Sequence, residues 1–173
     1  QYEPLKIEKK WQQVWEDQNK FKPKPSDKQF SIVIPPPNVT GSLHMGHALE
    51  HSIIDVLVRY KRLNGFETLW VPGTDHAGII TQLLVEKELS SQGTSKELLG
   101  RDKFIDEVWK WKETSGENIS NQMKTLGMSC DWSMERFTMD EGLSDAVQQV
   151  FVDLYEKDLI YKGTRMVNWD TTL

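Results

Sequence analysis

Three of the four histidines in this 173-residue chain lie within eight residues of one another. His44, His47 and His51 are spaced at i, i+3 and i+7, so on a helix they share one face. Clustered imidazoles can be polar side chains at an exposed helix start, ligands for a metal ion, or hydrogen-bond donors to a phosphate. Of the three, His51 lies farthest along the helix and is expected to be structural.

A metal site is the first chemical alternative. Two histidines one helical turn apart can bind zinc, as a zinc hydrolase would require. The metalloprotease arrangement, with Glu beside the first histidine and the second histidine four residues later, does not occur here. Further ligands could come only from Glu50, Asp55, Asp75 and His76. We therefore expect no tightly bound metal in this chain.

The stretch "NVTGS" (38–42), just before the histidines, favours a phosphate site. Helix N-termini bind anions through their free N–H groups, and small residues let a phosphate come close. His44 and His47 would donate hydrogen bonds to phosphate oxygens, while Gly46 would leave room for a base or sugar. Neither a G-x-x-x-x-G-K-[ST] phosphate loop nor a G-x-G-x-x-G fingerprint occurs in the chain. The expected nucleotide site is therefore of another kind.

A second group of candidate residues, "PGTDHAG" (72–78), follows the apolar run "ETLWV" (67–71). The carboxylate of Asp75 could pair with the ammonium of an amino acid, which is a charge-assisted contact. The alternative is an ordinary turn that contains an aspartate cap. Ligands of open parallel sheets bind at the carboxyl ends of the strands, where we expect the loops 35–47 and 72–78 to lie side by side.

The elements that position these loops follow the order strand, loop, helix, strand, loop, helix. Apolar runs predict strands at 30–34 and 67–71, and helical spacing predicts helices at 43–63 and 79–89. Proline cannot donate to a ladder, so Pro35 to Pro37 should end the first strand. This pattern predicts an α/β fold with a Rossmann-like parallel sheet and flanking helices. The remaining predictions are helices at 4–19, 101–126 and 141–157, an irregular segment at 127–140, and a strand at 160–169.

The composition, with 38% hydrophobic and 27% charged residues, is typical of a soluble globular protein. Its 21 basic and 26 acidic residues do not give the basic footprint of a nucleic-acid binder. The lone Cys130 favours a reducing compartment. No apolar run approaches the roughly 18 residues of a membrane helix. We therefore expect a protein that does not associate with membranes. It should lie in the cytoplasm, or in an organelle matrix after removal of a targeting segment.

The stretch "PNVTGSLHMGH" (37–47) resembles the first signature of class I aminoacyl-tRNA synthetases, with "HMGH" as its His-x-Gly-His core. The longer stretches "PPPNVTGSLHMGHAL" (35–49) and "GFETLWVPGTDHAGIITQ" (65–82) resemble the valyl members of that family. Their isoleucyl and leucyl relatives typically carry Gly-Trp-Asp where this chain has Gly-Thr-Asp. The resemblance continues through "WKWKE" (109–113), "DWSMERFTMD" (131–140) and "VNWD" (167–170), and so covers nearly the whole chain.

The resemblance implies ATP-dependent activation of valine to valyl-adenylate and transfer of the valyl group to tRNA(Val). ATP would enter as its Mg²⁺ complex, with His44 and His47 as the catalytic residues. The implied ATP-binding residues are Asn38, Thr40, Gly41, His44, Gly46 and His47. The implied valine-binding residues are Pro36, Pro37, Asn38 and Asp75.

The same resemblance implies a domain organisation. Residues 1–28 would be an N-terminal helix and linker, and residues 29–173 the first half of a nucleotide-binding catalytic domain that stops before the editing-domain insertion. The family's second signature, of Lys-Met-Ser-Lys-Ser type, is not found in this sequence. With one of the two ATP-binding signatures, the isolated chain is expected to be inactive or weakly active. The family's anticodon-binding helices are also not found here, so regions outside this chain would make most contacts to tRNA(Val). The alternative is a non-catalytic nucleotide-binding or interaction domain of the same fold.

Overall fold

The computed structural model describes residues 2–171 of the chain. Its helices are α1 (Pro4–Asp17), α2 (Met45–Leu63), α3 (Ile79–Ser91), α4 (Lys96–Leu99), α5 (Arg101–Thr125) and α6 (Glu141–Glu156), with a 3₁₀ turn at Trp132–Met134. Its strands are β1 (Gln29–Val33), β2 (Glu67–Val71), β3 (Gly73–Thr74) and β4 (Arg136–Phe137). Contacts divide this part of the chain into two compact units, the first ending at Thr138 and the second beginning at Met139.

Strands β1 and β2 pair in parallel along their whole length, from Gln29 opposite Glu67 to Val33 opposite Val71. The chain crosses between them through α2, as a parallel connection requires. One more ladder bond follows β1, from Ile34 N to Val71 O at 3.0 Å. The proline run begins at the next residue and cannot donate further. The predicted α/β arrangement of parallel strands and flanking helices is thus confirmed.

The core of the first unit lies between the β1–β2 pair, α2 and α5. Its buried side chains come from separate parts of the chain and include Ile34, Val58, Trp70, Ile119, Met123, Met128 and Cys130. Burying an aliphatic or aromatic side chain of this size contributes about 1.5–3 kcal/mol. Burial also raises the pKa of the Cys130 thiol, so this cysteine stays protonated and packs as a small apolar residue.

A second parallel pair, β3 with β4, was missed by the sequence analysis, which predicted a turn at 72–78 and an irregular segment at 127–140. Gly73 lies opposite Arg136 and Thr74 opposite Phe137. Two-residue strands are too short to show the alternation that predicts longer ones. The helix α4 was also not predicted, because its four residues are too few to show helical periodicity.

The second unit contains α6 and the residues that follow it. The Asp140 side chain accepts a hydrogen bond from Leu143 N at 2.8 Å and so caps the start of α6. The strand predicted at 160–169 is wrong, because these residues have no regular secondary structure. A strand exists only where another strand pairs with it, and no described residue forms a ladder with this segment.

Gly73 is the position where β3 and β4 approach most closely. A Cβ built on Gly73 would lie 2.6 Å from the backbone oxygen of Arg136, which is closer than real Cβ atoms come. We expect Gly73→Ala to force the two strands apart and to lower the free energy of unfolding by about 1–3 kcal/mol, as overpacking does. Urea-induced unfolding measures this change.

Gly116 provides the matched control for that prediction. It is also buried, but a Cβ there would meet only Val39 Cγ1, at 4.0 Å, and it lies inside α5. Gly116→Ala should therefore stabilise the fold by about 0.5–1 kcal/mol, because alanine loses less conformational freedom in a helix than glycine. Equal unfolding energies for the two variants would contradict the steric argument.

Candidate nucleotide and amino-acid site

The two loops that the sequence singled out lie side by side at the carboxyl ends of β1 and β2. Asn38 and Asp75 form a parallel bridge. Asp75 N donates to Pro37 O at 2.8 Å, and Val39 N donates to Asp75 O at 2.9 Å. The parallel ladder therefore continues past the prolines, and the structure brings Asn38 and Asp75 together as expected.

The two histidines of "HMGH" cap the helix that they begin. His44 is the N-cap of α2, and its Nδ1 accepts from Gly46 N at 3.1 Å. His47 Nδ1 accepts in turn from His44 N at 3.2 Å. The two rings lie with their centroids 3.8 Å apart. This reciprocal exchange satisfies N–H groups that the first turn of a helix would otherwise leave unpaired.

The capping bonds determine which ring nitrogen carries the proton. A nitrogen that accepts from a backbone N–H cannot itself be protonated, so the neutral rings of His44 and His47 carry their proton on Nε2. Desolvation lowers the pKa of His47, the charge of His44 lowers it further, and Glu50 opposes both. His47 is thus neutral near pH 7. Each ring presents one Nε2–H donor at the start of α2.

Gly46 makes room for this cap. A Cβ at Gly46 would lie 2.9 Å from His44 Cε1 and 3.0 Å from His44 Nδ1, so any side chain there would push the capping ring away. From the sequence, Gly46 is predicted to leave room for a base or sugar. In the structure, glycine is also required at this position because a side chain would collide with the ring of His44.

Helix α5 holds the backbone of the loop that carries the candidate ATP-binding residues. Trp111, Asn118 and Gln122 recur at i, i+7 and i+11, which places them on one helix face. The hydrogen bonds run from Trp111 Nε1 to Val39 O (2.9 Å), from Asn118 Nδ2 to Gly41 O (3.1 Å) and from Leu43 N to Gln122 Oε1 (2.8 Å). These residues were not predicted from the sequence, although their common helical face was a signal that could have identified them.

The remaining candidates on this loop differ in exposure. Pro36 and Asn38 are exposed, Thr40 is half-buried, and Pro37 is buried. Gly41 has a φ of 144°, a conformation that L side chains rarely adopt, which explains glycine at this position. Pro37 therefore contributes its carbonyl to the neighbouring loop, while Pro36 and Asn38 face solvent.

Asp75 takes part in a hydrogen-bonded group with two other residues. Thr138 Oγ1 donates to Asp75 Oδ1 at 3.0 Å. The same oxygen accepts from His76 N at 3.0 Å and lies 2.7 Å from His76 Nδ1. The Asp75 side chain remains 34% exposed, so its carboxylate is held in place yet can reach a ligand. Thr138, which lies within "DWSMERFTMD" (131–140), was not predicted as a site residue from the sequence.

His51 is structural, as its position in the cluster suggested. It is fully buried, and neither ring nitrogen has a hydrogen-bond partner among the described residues. Desolvation lowers the pKa of His51, Glu50 opposes this effect, and His47 adds to it. The ring is therefore buried in its neutral form.

His51→Leu should make the protein less sensitive to acid. The folded-state pKa of His51 lies below the ordinary value of 6.5, so the unfolded chain binds a proton first as the pH falls. The stability that comes from neutral His51 is present above pH 6.5 and is lost as the pH falls towards the folded-state pKa. Between about pH 7.5 and about pH 5, the thermal unfolding midpoint of the variant should therefore fall less than that of the wild type. Equal falls would contradict this.

The described residues offer little support for a metal centre. Across residues 2–171, no three His, Cys, Asp or Glu side chains are arranged to hold a metal ion. The zinc hydrolase alternative therefore lacks a ligand set in this part of the chain. Within the same residues, no helix combines the length and apolar character needed to cross a membrane.

Residues 10–173 match the family model described as tRNA synthetases class I (I, L, M and V). A valine–tRNA ligase of Legionella pneumophila (strain Lens) is 60% identical over 172 residues, which are 99% of this chain and 19% of that protein. A valine–tRNA ligase of Pelagibacter ubique is 62% identical over 167 residues, covering 96% of this chain and 19% of the relative. The chain thus spans about a fifth of the length of the curated relatives it matches.

A solved structure shows the same fold. The LeuRS chain in the crystal structure of an Agrobacterium radiobacter LeuRS–tRNA–LeuAMS ternary complex superposes with a TM-score of 0.75. The two sequences are 28% identical, and the match covers 93% of this chain and 19% of that one. The family match over residues 10–173, together with this fold and these relatives, shows that the chain belongs to the class I tRNA synthetases.

Proposed function

We propose that this chain is part of a valine–tRNA ligase, in which it carries the first ATP-contacting signature and part of the valine site. The observation that carries the proposal is the bridge between Asn38 and Asp75. It places the loop leading to the histidine-capped helix directly beside a loop whose carboxylate is about one-third exposed. The identity to valine–tRNA ligases over almost the whole chain supports valine as the amino acid.

The start of α2 would act on the ATP phosphates. The valine carboxylate attacks the α-phosphate of ATP, a bond forms between them, and pyrophosphate leaves. The Nε2–H groups of His44 and His47 would donate to phosphate oxygens on which negative charge grows during this step. Their contribution is positioning and charge stabilisation and involves no covalent intermediate. Because capping bonds fix both rings, these donors need little reorganisation when ATP binds.

The loop pair would hold both substrates. Asn38, Thr40, Gly41 and Gly46 would lie along ATP, which enters as its Mg²⁺ complex and brings that ion with it. Pro36, Pro37 and Asn38 would border the valine side chain, and their fixed backbone limits the ordering cost of binding. Asp75 would receive the valine ammonium, since a buried charge needs an opposite charge beside it.

The remaining parts of the proposal concern the complete protein. Residues 1–28 would serve as an N-terminal helix and linker, and residues 29–173 as the first half of a Rossmann-like catalytic domain. Contacts to tRNA(Val) would come mainly from regions outside this chain. The protein would work in the cytoplasm or in an organelle matrix.

Exchange of labelled pyrophosphate into ATP tests the proposed function. The full-length protein should catalyse this exchange with valine, and much less with an unrelated amino acid such as lysine. The exchange reports adenylate formation alone, so it does not require tRNA. Absence of valine-dependent exchange would favour the alternative, a non-catalytic nucleotide-binding or interaction domain of the same fold.

A further inference from the structure

We infer that Thr138 is a positioning residue for amino-acid recognition. Its hydroxyl fixes the Asp75 carboxylate in the orientation that receives the ammonium of the substrate. The inference rests on the proposed function, because it gives Asp75 the role of ammonium partner. It adds a residue from a third segment of the chain, 63 positions beyond Asp75.

Three contacts converge on the hydroxyl oxygen of Thr138 and use its full hydrogen-bonding capacity. A hydroxyl has one proton to donate and two lone pairs that accept. His76 N donates to it at 3.0 Å, so one lone pair is occupied. An ionised carboxylate can only accept, so the hydroxyl proton goes to Asp75 Oδ1 at 3.0 Å. His76 Nδ1, at 2.7 Å, then donates to the second lone pair.

The backbone holds Thr138 in register for these contacts. Thr138 N donates to Thr74 O at 3.2 Å, and Arg136 N donates to Pro72 O at 3.1 Å, so the β3–β4 ladder extends to Thr138 itself. Asp75 is fixed independently, through its N–H bond to Pro37 O at 2.8 Å. Both ends of the Thr138–Asp75 hydrogen bond are therefore anchored by separate backbone ladders.

The hydrogen bond from Thr138 preorganises the Asp75 carboxylate for a ligand. With Oδ1 engaged by Thr138, rotation of the Asp75 carboxylate is restricted, and Oδ2 keeps lone pairs for an incoming ammonium. A carboxylate that is one-third exposed would otherwise lose rotational freedom when the ligand binds. Binding of valine should therefore depend on the hydroxyl of Thr138, while binding of ATP should not.

Two substitutions in the full-length protein test this inference. Thr138→Val keeps the β-branched shape but loses the hydroxyl, whereas Thr138→Ser keeps the hydroxyl. In valine-dependent pyrophosphate exchange, Thr138→Val should raise the KM for valine about tenfold, the effect of losing a hydrogen bond to a charged group. Its kcat at saturating valine and its KM for ATP should stay near the wild-type values, and Thr138→Ser should resemble the wild type.

Thr125→Val is the matched control, because its exposed hydroxyl donates to the carbonyl of Asn121 within α5, outside the loop pair. It should leave all three kinetic constants unchanged. A second test combines Thr138→Val with Asp75→Asn. If the hydroxyl acts through the Asp75 carboxylate, then adding Thr138→Val to Asp75→Asn should change the KM for valine by less than about twofold.

The outcomes separate this inference from the proposed function. Lack of exchange by the wild-type protein would overturn both. Normal exchange by the wild type together with an unchanged KM for valine in Thr138→Val would overturn only the role of Thr138. Equal rises in the KM for valine and for ATP, or a similar loss in Thr138→Ser, would show that Thr138 only maintains the fold and would also overturn it.

Discussion

His44→Asn in the full-length protein should slow adenylate formation by about 10²–10³-fold and leave valine affinity nearly unchanged. The asparagine oxygen can replace His44 Nδ1 as acceptor for Gly46 N, because asparagine is a strongly preferred N-cap residue. The start of α2 is then kept. What the variant loses is the Nε2–H group, which under the proposed function would donate to phosphate oxygens as their negative charge grows. Single-turnover adenylate formation, with separate titration of valine, measures both quantities.

His44→Ala distinguishes the two roles of this histidine. Alanine removes both the donor and the cap, so the rate should fall as far as in His44→Asn. The free energy of unfolding should fall as well, by about 1 kcal/mol, the usual cost of a lost N-cap. His47→Ala should slow adenylate formation to a similar extent. A wild-type rate in His44→Asn would mean that His44 serves only to cap α2.

Asp75→Asn should weaken valine binding by roughly 2–5 kcal/mol, the cost of removing one member of a hydrogen-bonded charge pair that the bound amino acid would bury. ATP binding should change little. The asparagine oxygen can still accept from Thr138 Oγ1, so the variant removes the charge and keeps the local geometry. No other acidic residue lies on either loop, since 35–47 and 72–78 contain only this one. Calorimetric titration with valine, and separately with ATP, measures the two affinities.

Asp106→Asn gives the matched control for that charge change. Asp106 is exposed on α5, so its neutralisation alters the net charge equally without touching the loop pair. It should leave both affinities unchanged. Wild-type valine affinity in Asp75→Asn would remove Asp75 from the site and make "GTD" an ordinary turn.

The sequence predicted the parts of this fold that follow from local pattern and chain connectivity. The apolar runs at 30–34 and 67–71 indicated strands, and a helix between them left a parallel pairing as the expected arrangement. The side-by-side position of the loops that carry Asn38 and Asp75 followed from that pairing. The ends of the predicted helices differ from the observed ones by two residues or fewer.

The details of the candidate site depend on contacts that no local pattern contains. Thr138 meets Asp75 across 63 positions, through two strands of only two residues each. The capping bonds of His44 and His47 depend on backbone geometry at the helix start. The spacing of the histidines therefore predicted that they share a helix face, but it could not predict which ring nitrogen carries the proton. The strand predicted at 160–169 is absent because no strand of the described residues pairs with this segment.

The face of α5 formed by Trp111, Asn118 and Gln122 has a consequence for the order in which the protein takes shape during synthesis. The loop that it holds leaves the ribosome first, and the three residues that hold it follow 72, 77 and 79 positions later. At synthesis rates of about 5–20 residues per second, the loop waits several seconds or more for them. The backbone just before the histidines is therefore made early, and the three hydrogen bonds that α5 contributes to it can form only after α5 has emerged.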